Sequence, residues 1–253
     1  EKMQRLARAA EQTLDFDALR VIAKSAPPLC FTPPELPKPG ASVRVGVARD
    51  KAFCFFYEDS LALLRKLGAE LVDFSPLEDE TLPENLQGLY LPGGYPELYA
   101  EALSQNKSMR ESVRKAVTGG LPCIAECGGF MYLTEAIGDF PMAGALKGSC
   151  FDTGKLTRFG YVTLTAQKDN LLCRAGETIP AHEFHHWDAE HPGEDFRAEK
   201  PSGRSWPCTH ASRTLYAGFP HFHFYANPSF AVRFLDACRK ESCHAERPQA
   251  HGD

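Results

Sequence analysis

The sequence lacks an apolar run approaching the roughly 20 residues that span a bilayer. Its opening stretch, EKMQRLARAAEQ, is charged and amphipathic with no signal-peptide core, so no membrane partner is expected. It lacks an excess of positive charge. The 28 Lys and Arg stand against 33 Asp and Glu, for a formal net charge of -5, which gives no general footprint for nucleic acid. It lacks a CxxC pair, and its 9 cysteines are scattered and odd in number, which excludes a compact disulfide framework. Reduced thiols in a reducing, cytoplasmic setting are the expectation. It also lacks a GxxxxGK[ST] loop and any internal repeat, so any ATP chemistry lies elsewhere.

What is present is an ordinary globular composition, with 43% hydrophobic, 11% aromatic and 24% charged residues in a chain of 253. That length fits one domain of about 200 residues with extra segments at the ends. Residues 1–24 carry Leu6, Ala9, Ala10, Leu14, Leu19 and Ile22 close to helical spacing, which predicts a helix. Residues 26–40 then hold six prolines, a stiff linker. A helix and a Pro-rich connector ahead of the first strand point to a domain upstream. From Val43 the pattern alternates: VRVGVA as a buried strand, a helix over 58–67, AELVDF and GLYL as strands, a helical stretch over 97–117, the strand LPCIAE, and a helix over 130–136. The fold class expected is α/β, a mainly parallel sheet with helices on both faces. Residues 151–224 read as strand-rich and irregular, and the polar tail after Lys240 as frayed.

Four segments carry chemistry. In LPCIAECGGFMYL an apolar strand ends at Glu126, and Cys127-Gly128-Gly129 turn into a helix. That is the small-x-nucleophile-x-Gly elbow, which thrusts a side chain above a sheet, and a thiol at a helix N-terminus is biased toward the thiolate. In LYLPGGYPE a strand ends in Pro92-Gly93-Gly94. Backbone N–H groups of Gly93 and Gly94, with that of Gly128, can bind the oxyanion of an acyl-transfer intermediate. In PHFHFYANP, His221 and His223 alternate with Phe222 and Phe224, which puts both imidazoles on one face of an extended segment, where one can serve as base for Cys127. His182-Glu183-Phe184-His185-His186 matches HExxH literally. That zinc signature needs a stable helix and a third ligand, whereas Pro180 precedes this segment and Trp187-Asp188 follow it. The segment therefore reads as a strand with Glu183 and His185 lining or supporting the site, and no metal is expected.

The ordered set LYLPGGYPELYAEAL, PCIAECGGFMYL and HFHFYANP, with TRFGYVTL and AHEFHHWD between, resembles the C-terminal glutaminase domain of cobyrinic and hydrogenobyrinic acid a,c-diamide synthases over residues 43–239. The resemblance implies a triad-type class I glutamine amidotransferase with a flavodoxin-like fold. It implies domains at 1–39 (the end of an ATP-dependent synthetase domain plus linker), 40–240 (amidotransferase) and 241–253 (disordered tail). Carried over by position, Cys127 is the nucleophile, His221 the base, and His223 stands where relatives of this fold class have the acid of His-x-Glu. Glu126, Gly129, Arg158, Glu183 and His185 are implied as substrate-binding or supporting residues. The partners implied are L-glutamine, a synthetase domain of the same chain that uses ATP and Mg²⁺, and a corrin substrate; the glutaminase part itself needs no cofactor. On the residues alone, a stand-alone cysteine hydrolase and a non-catalytic docking domain of the same fold remain alternatives.

Overall fold

The computed structural model describes residues 1–245. Two compact units separate between Leu36 and Pro37. The first holds two helices, α1 (Lys2–Thr13) and α2 (Phe16–Ser25), neither of which buries a side chain. One continuous helix was expected over 1–24. The break has a local cause: Leu14 turns extended, and the Asp15 carboxylate accepts a hydrogen bond from the Ala18 amide at 2.9 Å, capping a new N-terminus.

The second unit is built on β1 (Val43–Ala48), α3 (Glu58–Lys66), β2 (Ala69–Phe74), β3 (Gly88–Leu91), α4 (Ala100–Gln105), α5 (Lys107–Thr118), β4 (Cys123–Glu126) and α6 (Gly128–Leu133). The strands β1, β3 and β4 are short apolar runs buried almost end to end, the signature of parallel strands covered on both faces. The chain continues through β5 (Ala136–Ile137), β6 (Phe140–Pro141), β7 (Ser149–Asp152), β8 (Arg158–Ala166), β9 (Thr178–His185), β10 (Trp187–Ala189), β11 (Phe196–Glu199), β12 (Ser205–Cys208), β13 (His210–Ala211), β14 (Leu215–Gly218), β15 (His221–Phe222) and α7 (Pro228–Ala245).

The main sheet has the order β13-β14-β4-β3-β1-β2, all parallel except the edge strand β13. Helices cover both faces. Residues of α4, α5 and α6 join one core with Leu89, Leu91 and Ala125, while α7 packs against α3 and β1. The parallel order β2-β1-β3-β4-β14 is that of a flavodoxin-like sheet, whose ligands bind beyond the carboxyl ends of the strands. Two smaller sheets, β10-β7-β5-β6 and β12-β11-β8-β9-β15, hold the remaining strands. Among the described residues no helix is long and apolar enough to cross a membrane.

Three expected boundaries move. The stretch 97–117 is a 3₁₀ turn (Pro96–Tyr99) followed by α4 and α5; Asn106 breaks it by accepting from the Met109 amide as an N-cap. The helix expected over 130–136 is α6, which starts directly after Cys127 and ends at Leu133, where Thr134 bonds back to the Met131 carbonyl. The helix α7 runs to Ala245, past the boundary placed at 240, because no Gly or Pro interrupts the sequence before Pro248. The rest of the tail, 246–253, lies outside the described residues.

Candidate active site

The nucleophile elbow is formed as strand, turn and helix. Cys127 sits between β4 and α6 at φ 46° and ψ -102°, a conformation costly for a residue with a Cβ and kept only where the surroundings impose it. The Cys127 amide donates to the Gly218 carbonyl at 2.7 Å and its own carbonyl accepts from Met131 at 2.9 Å. The turn is thus tied to β14 on one side and to α6 on the other. Gly129 allows α6 to start so close to the sheet, since a methyl group there would lie 2.1 Å from the Leu91 carbonyl oxygen.

The loop after β3 meets the elbow. A Cβ built on Gly128 would lie 3.1 Å from the Gly94 nitrogen, so the loop passes directly against the start of α6. Gly93 accepts from the Phe55 amide at 3.0 Å, and a methyl group on Gly93 would stand 2.4 Å from His221 Cε1. The absence of that side chain is what lets the imidazole lie over the loop.

His221 comes from β15, directly after β14 has passed beside β4. Its Nδ1 lies 3.3 Å from Glu126 Oε2, and the Tyr90 hydroxyl donates to the same oxygen at 3.4 Å. All three side chains are buried. Burial alone depresses the His221 pKa, but the charge on Cys127, a hydrogen bond to its side chain, and the Glu126 carboxylate raise it to about 10. The imidazole is therefore held as a cation between sulfur and carboxylate at neutral pH.

His223 is placed elsewhere. Its Nε2 bonds Asp59 Oδ2 at 2.9 Å and its ring packs on Tyr57, so it does not join His221 beside Glu126 as one shared face would require. The acid position assigned to His223 is thus taken by Glu126, the residue before the nucleophile. The reason is that β15 is only two residues long, after which the chain bends into a 3₁₀ turn at Phe224–Ala226 and carries His223 toward α3.

Cys127 and His221 open onto a pocket of about 440 Å³ whose far wall comes from β7, β9 and β10. The HExxH segment lies in β9 up to His185, as the strand expected, with His186 just beyond its end. The strand's alternation buries Glu183 and His185 on one face and leaves Phe184 outside. Among the described residues no group of three or more His, Cys, Asp or Glu side chains is arranged to hold a metal ion.

The sequence profile of the CobB/CobQ-like glutamine amidotransferase domain matches residues 44–228. The chain belongs to this family. A cobyrinate a,c-diamide synthase of Caldanaerobacter subterraneus is 36% identical over 246 residues, covering 94% of this chain and 54% of the relative. One of Dehalococcoides mccartyi is 39% identical over 254 residues, with 92% and 54% covered. The chain therefore spans about half the length of the curated relatives it matches. Among solved structures, PurLQS from Thermotoga maritima has a TM-score of 0.56 at 17% identity, covering 79% of this chain and 98% of that one. A crystal structure described as a glutamine amidotransferase has a TM-score of 0.52 at 19% identity, covering 77% and 98%. These two share the fold.

In this amidotransferase domain the structure brings Gly93, Gly94, Glu126, Cys127, Gly128, Gly129 and His221 together. Glu183 and Arg158 stand behind the pocket wall. Arg158 lies over the Trp206 ring at 4.9 Å, and burial raises the Glu183 carboxyl to about 7 against the opposing charge of Arg158. His185 reaches the pocket lining, stacked on Phe219 at 4.0 Å. Sequence reasoning missed Tyr90, Glu97 and Asp152. Tyr90 and Glu97 lie inside the quoted LYLPGGYPE, and nothing in their type distinguished them from strand and surface residues. Asp152 belongs to a strand from another sheet, and no local signal tied it to Cys127.

Proposed function

We propose that this domain hydrolyses L-glutamine through a Cys127 thioester and releases ammonia. The observation that carries this reading is the Cys127–His221–Glu126 arrangement at the mouth of a pocket, in a chain of the amidotransferase family. The Cys127 sulfur attacks the side-chain carbonyl carbon of glutamine as the thiolate. The resulting oxyanion is received by the Gly94 and Gly128 amides. His221 then gives its proton to the departing nitrogen, ammonia leaves, and a thioester remains. Water, activated by the now neutral His221, attacks that thioester and frees glutamate and the thiolate. Glu126 orients the imidazole and stabilises its cation, the role a buried carboxylate plays in a triad.

The relatives support a reading of the whole protein's chemistry. Their names give the reaction as formation of cobyrinate a,c-diamide, so the ammonia made here is destined for the a and c carboxylates of cobyrinic acid. The acceptor carboxylates need activation by ATP and Mg²⁺, which a synthetase domain supplies. Exposed Tyr95, Leu98, Phe151 and Phe184 beside the pocket residues support a partner seated over the mouth.

The test is alkylation by 6-diazo-5-oxo-L-norleucine, with the adduct located by peptide mass spectrometry and ammonia release measured in parallel. One adduct on Cys127, blocked by excess glutamine and absent in Cys127→Ala, is expected. Absence of the adduct in the folded chain, both alone and joined to a synthetase domain, would overturn the reading in favour of a docking role.

A further inference from the structure

The strand register sets two tyrosines against Glu126. Partners across a parallel pair present their side chains on the same face, and so do residues two apart along one strand. Tyr90 of β3 and Tyr216 of β14 both pair with Ile124 of β4, and Glu126 lies two residues beyond Ile124. The face that carries Glu126 therefore carries a tyrosine on each neighbouring strand, one diagonal step away. Tyr90, Tyr216 and Glu126 are 2%, 0% and 1% exposed, so each hydroxyl needs a partner within the protein. The two tyrosines find different ones. Tyr216 turns its hydroxyl to the Pro220 carbonyl at 3.5 Å, whereas Tyr90 donates to Glu126 Oε2 at 3.4 Å.

That oxygen is the same one that lies 3.3 Å from His221 Nδ1. Two donors, one from β3 and one from β15, thus converge on a single carboxylate oxygen and fix the direction in which it faces. Burial first, then the charge of Glu126 and the hydrogen bond to it, push the Tyr90 hydroxyl far above its ordinary value of 10. It keeps its proton and directs it at the carboxylate. The other titrating groups that act on Glu126 are Tyr216, Tyr57 ahead of α3, and His221, which also bonds Cys127. Burial pushes a carboxyl toward its neutral form, in which it no longer stabilises an imidazolium, and a hydrogen bond donated to the charged form opposes that drift.

We propose that Tyr90 is a positioning residue of this site, whose hydroxyl holds the Glu126 carboxylate ionised and turned to His221 and so acts on Cys127 only through that pair. The role rests on the Cys127–His221–Glu126 arrangement of the glutaminase reading and adds a fourth member to it. Tyr90 touches neither the sulfur nor the substrate, so its substitution shifts where the protons of the site reside and leaves substrate binding alone.

The test follows alkylation of Cys127 by iodoacetamide as a function of pH, with the Cys127 adduct quantified by peptide mass spectrometry. This reagent reports the thiolate without calling on a glutamine pocket. Loss of the Tyr90 donor lets the charged site take up a further proton more readily. In Tyr90→Phe the acid limb is therefore expected about 1 pH unit higher than in the unaltered chain, and glutamine hydrolysis about 10-fold lower in kcat with KM within about twofold. Tyr216→Phe removes the other flanking hydroxyl, keeps the ring, and should leave the limb in place. A 3-fluorotyrosine at residue 90, a stronger donor of nearly the same size, should move the limb down instead, and it serves alone where Tyr90→Phe does not fold. An unmoved limb in the residue-90 variants overturns the role of Tyr90 and leaves the glutaminase reading standing. So does an equal shift in Tyr216→Phe. So too does a loss in Tyr90→Phe that persists undiminished beside Glu126→Gln, since a hydroxyl acting through the carboxylate then has nothing left to act on. Absence of the diazo-ketone adduct overturns the glutaminase reading, and the iodoacetamide limb still decides the role of Tyr90.

Discussion

At Gly93 a single hydrogen atom separates the loop from the imidazole of His221. The methyl group of Gly93→Ala would stand 2.4 Å from His221 Cε1, far inside contact distance, so the ring must leave Glu126 or the loop must lift. Alkylation of Cys127 by the glutamine-like reagent is expected to slow by about 10²-fold or more, the scale of losing a base or an oxyanion donor. Stability should fall by about 1–3 kcal/mol, the usual cost of overpacking, as read from denaturant unfolding. Glu126→Gln keeps the volume and removes the charge. Glutamine hydrolysis is expected to fall by roughly 10²- to 10⁴-fold in kcat with KM little changed, because the imidazole loses its orienting carboxylate. A KM effect without a kcat effect would show that Glu126 binds substrate instead.

The element that carries the next prediction is β9. Its alternation turns Glu183 inward, 2% exposed, with Oε2 unpartnered, and burial lifts the carboxyl from its ordinary 4.5 to about 7. A raised carboxyl means that the folded state binds its proton more tightly than the unfolded chain does. Its contribution to stability is therefore complete below pH 4.5 and is lost as pH rises to about 7. The magnitude is on the order of 3 kcal/mol at most. Glu183→Gln, which cannot ionise, should remove that loss. The variant is expected to gain stability over the parent chain between pH 5 and pH 8, measured by urea unfolding at both values. A gap that stays constant over this range would show that Glu183 is already ionised in the fold. The same strand shows what sequence reading resolved. Pro180 and the lack of a helical flank were enough to reject HExxH as a zinc helix and to read the segment as a strand, whose alternation in the structure turns Glu183 and His185 inward. Which of the two would reach the pocket was not legible, since that depends on how the β8–β9 sheet is set against β4.

For the whole molecule, the first 36 residues form a unit of their own in which α1 and α2 bury no side chain. Removing residues 1–36 is therefore expected to leave the unfolding temperature of the rest within about 2 °C and Cys127 labelling unchanged. A large drop would show that the second unit depends on the first. The sequence by itself determined the α/β architecture. Buried strands must be continuous apolar runs, helices must repeat near 3.6 residues, and an elbow needs small residues around its nucleophile, so VRVGVA, PCIAECGG and LPGG carry their structure locally. It also singled out Cys127 and His221, which the fold brings to the lining of one pocket. Only the tertiary structure decided that Glu126 rather than His223 stands beside the imidazole, and that Glu97 and Asp152 reach the lining of one pocket. Those relations join residues up to 95 positions apart, brought together by strand order and by the short extent of β15. No local pattern encodes a distance between side chains that meet only when separate sheets pack.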